Sequence, residues 1–258
     1  MTLAAAVMMV VLRPVTSMYS APSESADVVS QAILGSNVEL VEQRAGWIKV
    51  RSADQYQGWM PAAAVREGTA SGRLVKIGSL FANLYQEPDA TKHQPLLTVP
   101  FESRLEVVAE GPRWLQVRLP DGRAAWLQRG DVAPDVEPAV VELARRFLGL
   151  PYLWGGVSTF GFDCSGFTGM LLRQRGIIIP RDAGPQMRWE GFQPVERSNL
   201  QAGDLLFFGP DGKVTHTGMY IGDGEFISAT TWLKPVVQIS RLDDPHWSSQ
   251  LVGCRRLK

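Results

Sequence analysis

Only two cysteines, Cys164 and Cys254, occur in the 258 residues, which excludes a disulfide framework and a paired-cysteine metal site. Histidine is nearly as scarce: His93, His216 and His246 lie far apart, outside any H-E-x-x-H pattern. Neither a metal nor another cofactor is therefore expected. Net charge is absent too, with 26 Lys plus Arg against 26 Asp plus Glu and no strongly basic block. That balance argues against a nucleic acid, or an anionic membrane, held by bulk charge. The apolar start, Met1 to Leu12, lacks the charged head of a secretory signal and meets Arg13-Pro14 after about a dozen residues. A folded N-terminus and a cytoplasmic monomer are expected, with export as the alternative if a signal has already been trimmed.

What the chain does have is 17 prolines, 25 glycines and 8 tryptophans, scattered in a way that suits short strands and tight turns. Residues 7–66 and 73–133 repeat one another at a period of about 66. Tyr19 and Pro22 fall on Tyr85 and Pro88, and Gly46-Trp47-Ile48-Lys49-Val50 on Arg113-Trp114-Leu115-Gln116-Val117. Trp47 and Trp59 are 12 residues apart, as are Trp114 and Trp126. A valine, Val65 or Val132, follows the second tryptophan by six residues in each copy. Such aromatics are packed core or ligand contacts at a barrel mouth. Alternation in Trp114–Leu119 reads as a half-buried strand, and Pro120-Asp121-Gly122 as a hairpin turn. The doubled pattern resembles the bacterial SH3-like domains attached to cell-wall enzymes. It predicts two small all-β barrels, 1–68 and 69–133, ahead of a third domain over 134–258.

Past the proline-bounded linker Pro134–Pro138, an apolar stripe from Val140 to Leu148 predicts a helix with Pro138 at its first position. The glycine-rich approach Tyr152-Leu153-Trp154-Gly155-Gly156 leads to Gly161-Phe162-Asp163-Cys164-Ser165-Gly166-Phe167, where a second helix is expected to start at Cys164. There the helix dipole and free N–H groups favour a thiolate and can receive an oxyanion. His216, 52 residues later on a predicted strand, is a base that can reach it in space. Asp223-Gly224 turns that strand into Glu225–Ala229, and Asp204–Phe208 supplies its neighbour, so this domain is α+β. His93 and His246 read as solvent-facing, and Cys254 as core.

The Asp163-Cys164-Ser165-Gly166-Phe167 segment and His216-x-Gly218-x-Tyr220-Ile221-Gly222 together resemble the NlpC/p60-type cysteine peptidases over about residues 138–257. The resemblance implies a papain-like core, Cys164 as nucleophile, His216 as base and Tyr152 as a hydroxyl for substrate or oxyanion. The family's third triad member is commonly a histidine twelve residues after the base, where this chain has Ser228. Its hydroxyl can accept from the imidazole and set the tautomer, or another group orients His216. Within the family, the two SH3-like domains and Pro180-Arg181-Asp182-Ala183 look like the γ-D-glutamyl-L-diamino acid endopeptidases, which act on cell-wall stem peptides with a free N-terminal L-alanine. That likeness implies a substrate-binding set of Asp163, Ser165, Asp182, Ala183, Trp154, Tyr56 and Asp27.

A free ammonium needs a carboxylate, for which Asp163 and Asp182 are the candidates. Asp182 can equally cap a helix beginning at Ala183, and Asp27 and Tyr56 can equally be surface residues without a role. Two other readings stay open: an exported hydrolase of intact peptidoglycan, and a binding protein with a decayed triad.

Overall fold

The computed structural model describes residues 6–136 and 138–258. Residues 1–5 of the apolar run, and Glu137 of the linker, lie outside the described residues. The chain divides into two units, Met1–Val136 and Glu137–Lys258. Among the described residues no helix is long and apolar enough to cross a membrane.

Period-two sequence makes the first unit β. Its first sheet contains β1 (Met8–Val11), β2 (Val15–Tyr19), β3 (Val28–Ile33), β4 (Asn37–Arg44), β5 (Trp47–Arg51), β6 (Gln57–Pro61) and β7 (Val65–Glu67). The second contains β8 (Leu74–Lys76), β9 (Phe81–Tyr85), β10 (Leu97–Pro100), β11 (Arg104–Glu110), β12 (Trp114–Arg118) and β13 (Ala124–Gln128). Their orders are β3-β2-β6-β5-β4-β1-β7 and β10-β9-β13-β12-β11-β8. Strand for strand the two coincide apart from β7, so the sequence repeat is a repeat of topology. The aromatic pattern recurs with it: Tyr19 meets Trp47 edge-on at 5.7 Å, and Tyr85 meets Trp114 edge-on at 5.6 Å. These rings are packing elements, with edge-to-face geometry favoured by their quadrupoles.

Met8–Val11 of the apolar start form a strand of this fold. Val10 and Val11 are fully buried, and β1 runs antiparallel between β4 and β7. Leu34, which follows β3, is fully buried in the core of the other module, beside Leu84, Leu105, Leu115 and Leu127.

In the second unit, α1 (Val140–Arg145) precedes a two-stranded ribbon of β14 (Val157–Ser158) and β15 (Gly161–Phe162). Then come α2 (Cys164–Arg173), α3 (Ala183–Met187), β16 (Phe192–Val195), β17 (Leu205–Phe208), β18 (His216–Gly222), β19 (Glu225–Thr230), β20 (Val236–Arg241), α4 (Pro245–Ser248) and β21 (Leu251–Leu257). The antiparallel sheet has order β16-β21-β17-β18-β19-β20, and α2 packs against β18 and β19. Asp223 and Gly224 both take positive φ, 53° and 73°, in the tight turn joining β18 to β19. The first helix is shorter than its apolar stripe predicts. Ala139 is its N-cap, so Pro138 precedes the cap, and the chain leaves the helix where the Gly149 N–H donates to the Val237 carbonyl.

Truncating Leu34 to alanine should lower stability by about 2 to 5 kcal/mol, the usual cost of emptying such a site. Urea unfolding followed by tryptophan fluorescence measures it. An unchanged midpoint would show that Leu34 is not a core residue of the neighbouring module.

Candidate active site

Three packed rings and one ion pair fix the position of Cys164. Phe147, Phe162 and Phe167 are fully buried and meet edge-on at 5.5 to 6.0 Å, tying α1 and β15 to α2 on both sides of Asp163-Cys164. Asp163 is the N-cap of α2, its Oδ1 accepting from the Gly166 N–H at 2.7 Å. Its Oδ2 accepts from the Gly155 N–H at 3.0 Å. Arg181 grips both oxygens, Nη1 to Oδ1 at 3.0 Å and Nη2 to Oδ2 at 2.5 Å. The two side chains are 3% and 10% exposed. Gly166 has no substitute here, because a Cβ would stand 2.1 Å from the Gly156 carbonyl oxygen.

The base comes from the sheet. His216 opens β18 opposite Phe208 of β17, and one ring nitrogen, Nε2, lies 3.1 Å from the fully buried Ser228 Oγ on β19. Gly218 allows β18 and β19 to close this far, since a Cβ there would meet Phe226 Cδ2 at 2.7 Å and Ser228 Cβ at 3.0 Å. The backbone N–H groups of Thr217 and Ser165 donate to the Cys164 sulfur. The residue after the histidine thus touches the nucleophile, while Nε2 of the imidazole is engaged by Ser228.

Protonation differs from the expectation of a resting thiolate. Burial pushes the Cys164 thiol up to about 11, and the adjacent Asp163 charge adds to it. The two amides and Arg181 work the other way without overcoming burial. Burial, followed by the charge of His246, pulls His216 down to about 3. Both shifts favour the uncharged forms, a thiol and a neutral imidazole. The helix start supplies N–H donors to the sulfur, but desolvation of an anion in a site only 9% exposed outweighs them. Tyr152 is half-buried, and burial, then the nearby Cys164 and Asp163, raise its phenol to about 12. It remains a neutral donor.

Two more expectations change. The Asp163 carboxylate is already filled by Arg181, two backbone amides and the Ser165 hydroxyl at 3.3 Å, so it is not the ammonium partner. Ser165 is buried with it, and its Oγ also accepts from Arg181 Nη1 at 2.9 Å. Asp182 stands at the N-cap of α3 but makes no side-chain capping bond, and it is exposed. Ala183 beside it is buried, whereas Trp154 is 70% exposed. Asp27 and Tyr56 belong to the first unit: Asp27 is exposed just before β3, and Tyr56 is half-buried between β5 and β6. His93 is exposed, 3.3 Å from Glu87, and Cys254 is buried on β21. His246 does not face solvent freely: its ring stacks on Trp232 at 3.6 Å with 2° between planes.

Sequence reasoning missed Arg181 as the partner of Asp163, and the aromatic surroundings of His216. Arg181 had a signal: a charge that directly follows Ile177-Ile178-Ile179-Pro180 is carried toward the core and needs a counter-ion. Among the described residues no group of three or more His, Cys, Asp or Glu could hold a metal.

Alkylation of Cys164 by iodoacetamide should be slow at pH 7 and rise about tenfold per pH unit toward alkaline pH, with Cys164→Ala as the blank. A plateau through neutral pH would instead reveal a preformed thiolate–imidazolium pair. Arg181→Met, which strands Asp163, should cost about 3 to 5 kcal/mol in urea unfolding, with partial recovery on adding Asp163→Asn. Wild-type stability in the single variant would remove the ion pair from its structural role.

The NlpC/P60 family model matches residues 149–256. Models of the bacterial dipeptidyl-peptidase Sh3 domain and the YKFC SH3b2 domain match residues 18–65 and 79–133. A gamma-D-glutamyl-L-lysine dipeptidyl-peptidase of Bacillus cereus is 35% identical over 252 residues, spanning 88% of this chain and 74% of that protein. One of the same name from Bacillus subtilis is 28% identical over 247 residues, spanning 89% and 81%. The crystal structure of an NlpC/P60 family protein from Bacillus cereus superposes with a TM-score of 0.84 at 29% identity, over 97% of this chain and 99% of that one. This chain belongs to the NlpC/P60 family of cysteine peptidases and carries two SH3-like domains ahead of its catalytic domain.

Proposed function

We propose that this peptidase cleaves the γ-D-glutamyl-L-diamino acid bond of peptidoglycan stem peptides that have a free N-terminal L-alanine, in the cytoplasm and as a monomer, during wall recycling. The observation that carries the reading is the sulfur at the head of α2 receiving the Thr217 amide, with the adjacent His216 held at 3.1 Å by Ser228. Relatives named gamma-D-glutamyl-L-lysine dipeptidyl-peptidases, matched along most of the chain, support the bond specificity.

Activation follows from the neutral resting pair. As Sγ attacks the γ-carbonyl carbon, the thiol proton passes to His216 Nδ1, while Nε2–H donates to Ser228 Oγ and fixes the tautomer. The Cys164 backbone amide at the helix start and the neutral Tyr152 hydroxyl serve the developing oxyanion. Collapse breaks the C–N bond, and the imidazolium returns its proton to the leaving amine. Water, deprotonated by His216, then hydrolyses the thioester. The substrate ammonium would pair with the exposed Asp182 carboxylate. Trp154 and Ala183, on the same unit as Asp182, would complete substrate binding there. Ser228 is hydrogen-bonded to His216, which favours a working orienting group over the decayed-triad reading.

Purified protein should release L-Ala-γ-D-Glu from L-Ala-γ-D-Glu-L-Lys, or its diaminopimelate analogue, and spare the N-acetylated peptide. Equal cleavage of both would favour a hydrolase of intact wall, and cleavage of neither a binding protein. Cys164→Ala should abolish turnover with the fold intact. Ser228→Ala, losing one hydrogen bond of about 1 kcal/mol, should lower kcat about fivefold. Asp182→Asn should raise KM for the free-amine peptide and erode its advantage over the acetylated one; an unchanged preference would exclude Asp182 as the ammonium partner.

A further inference from the structure

His246 lies outside the machinery just described, yet it is built into the surroundings of the base. Its ring is parallel to Trp232 at 3.6 Å and meets Trp247 edge-on at 4.7 Å. The other side of this arrangement is the base itself, because Trp247 packs against the His216 ring at 5.0 Å with 32° between planes. Trp247 is 3% exposed, and its indole N–H finds no hydrogen-bond acceptor among the described residues. Ring packing therefore holds it: Phe208 at 5.1 Å and Phe226 at 5.2 Å on the sheet side, His246 toward Trp232.

The opposite end of the stack reaches the other wall of the site. Trp232 belongs to the 231–235 loop between β19 and β20, and its carbonyl accepts from Gln238 Nε2 at 2.6 Å. Three residues on, the Pro235 carbonyl accepts the Tyr152 N–H at 2.8 Å, and Pro151 bridges to Val236. One histidine thus joins the strand-borne base to the segment that presents the Tyr152 hydroxyl.

We propose that His246 is a positioning residue for the peptidase reaction, the middle member of a Trp232–His246–Trp247–His216 ladder that sets the catalytic imidazole relative to the Tyr152 segment. The inference rests on the assignment of His216 as base. Two physical terms act through the ladder. Aromatic contacts of this geometry are each worth about 0.5 to 1.5 kcal/mol beyond area burial, enough to select one ring orientation. His246 also acts electrostatically on the base, as one cause, after burial, of the lowered pKa of His216.

The test compares His246→Ala, His246→Phe and His246→Gln in the full-length chain, with circular dichroism and thermal unfolding to establish that each folds. Removal of the ring in His246→Ala should lower kcat about tenfold with KM within twofold. His246→Phe, which restores a planar ring against Trp232 and Trp247, should recover most of kcat. His246→Gln, polar without a ring, should not. Wild-type kcat in His246→Ala, or equal recovery by Gln and Phe, would overturn the proposal. If His246→Ala does not fold, the Phe-against-Gln comparison decides alone. Iodoacetamide alkylation of Cys164 at pH 8 supplies a readout without substrate and should follow the same Phe-over-Gln order. A wild-type protein that alkylates normally but leaves the free-amine peptide uncut would sink the proposed substrate. Loss of the order in alkylation would sink the ladder.

Discussion

The guanidinium of Arg181 donates to both oxygens of the buried Asp163 carboxylate, and the start of α2 depends on that contact. An aspartate directly before a nucleophilic cysteine is electrostatically awkward, since its charge opposes formation of a thiolate. It earns its place as the N-cap whose oxygens also take the Gly155 and Gly166 amides. Arg181 makes this tolerable by cancelling the charge and occupying the remaining lone pairs, the condition under which a buried ion can persist. The network continues through Ser165 Oγ, and Gln186 ties Thr168 and the Ser165 carbonyl to Pro180. Residues that lie next to the nucleophile in sequence therefore hold it, and the substrate must be met by others.

On the facing strand the constraint is steric. Glycine at 218 lets β18 and β19 approach closely enough for Ser228 to reach the imidazole. A serine there orients without contributing charge, so nothing in the pair favours separated ions before substrate arrives. Burial favours the uncharged form of both groups in the resting site. Such a site trades standing reactivity for a nucleophile that is poorly exposed to adventitious oxidants and alkylators.

The repeated β-modules obey a different economy. Each places the same tyrosine and tryptophan pair edge-to-face and the same six-strand order around an apolar core, and Leu34 inserts from one into the other. Val10 and Val11 of the apolar N-terminal run are buried in β1 of that fold. Two small cores that share a residue are better shielded than either alone, since small domains bury too little surface to be robust.

Local chemistry made much of this readable from the sequence alone. Tryptophans at a fixed spacing declare the repeat, Asp223-Gly224 and Pro120-Asp121-Gly122 declare their turns, and glycines before Cys164 declare a tight entry into a helix, because in each case backbone sterics or side-chain period act over a few residues. What only the tertiary structure decided involves pairs far apart in the chain. Arg181 finds Asp163 across 18 positions, Ser228 finds His216 across 12, and the Trp232 and His246 rings meet across the strand β20. The sulfur's protonation is of the same kind: the helix start argues for a thiolate, but desolvation is the sum of all atoms packed around it, a quantity that no stretch of sequence contains.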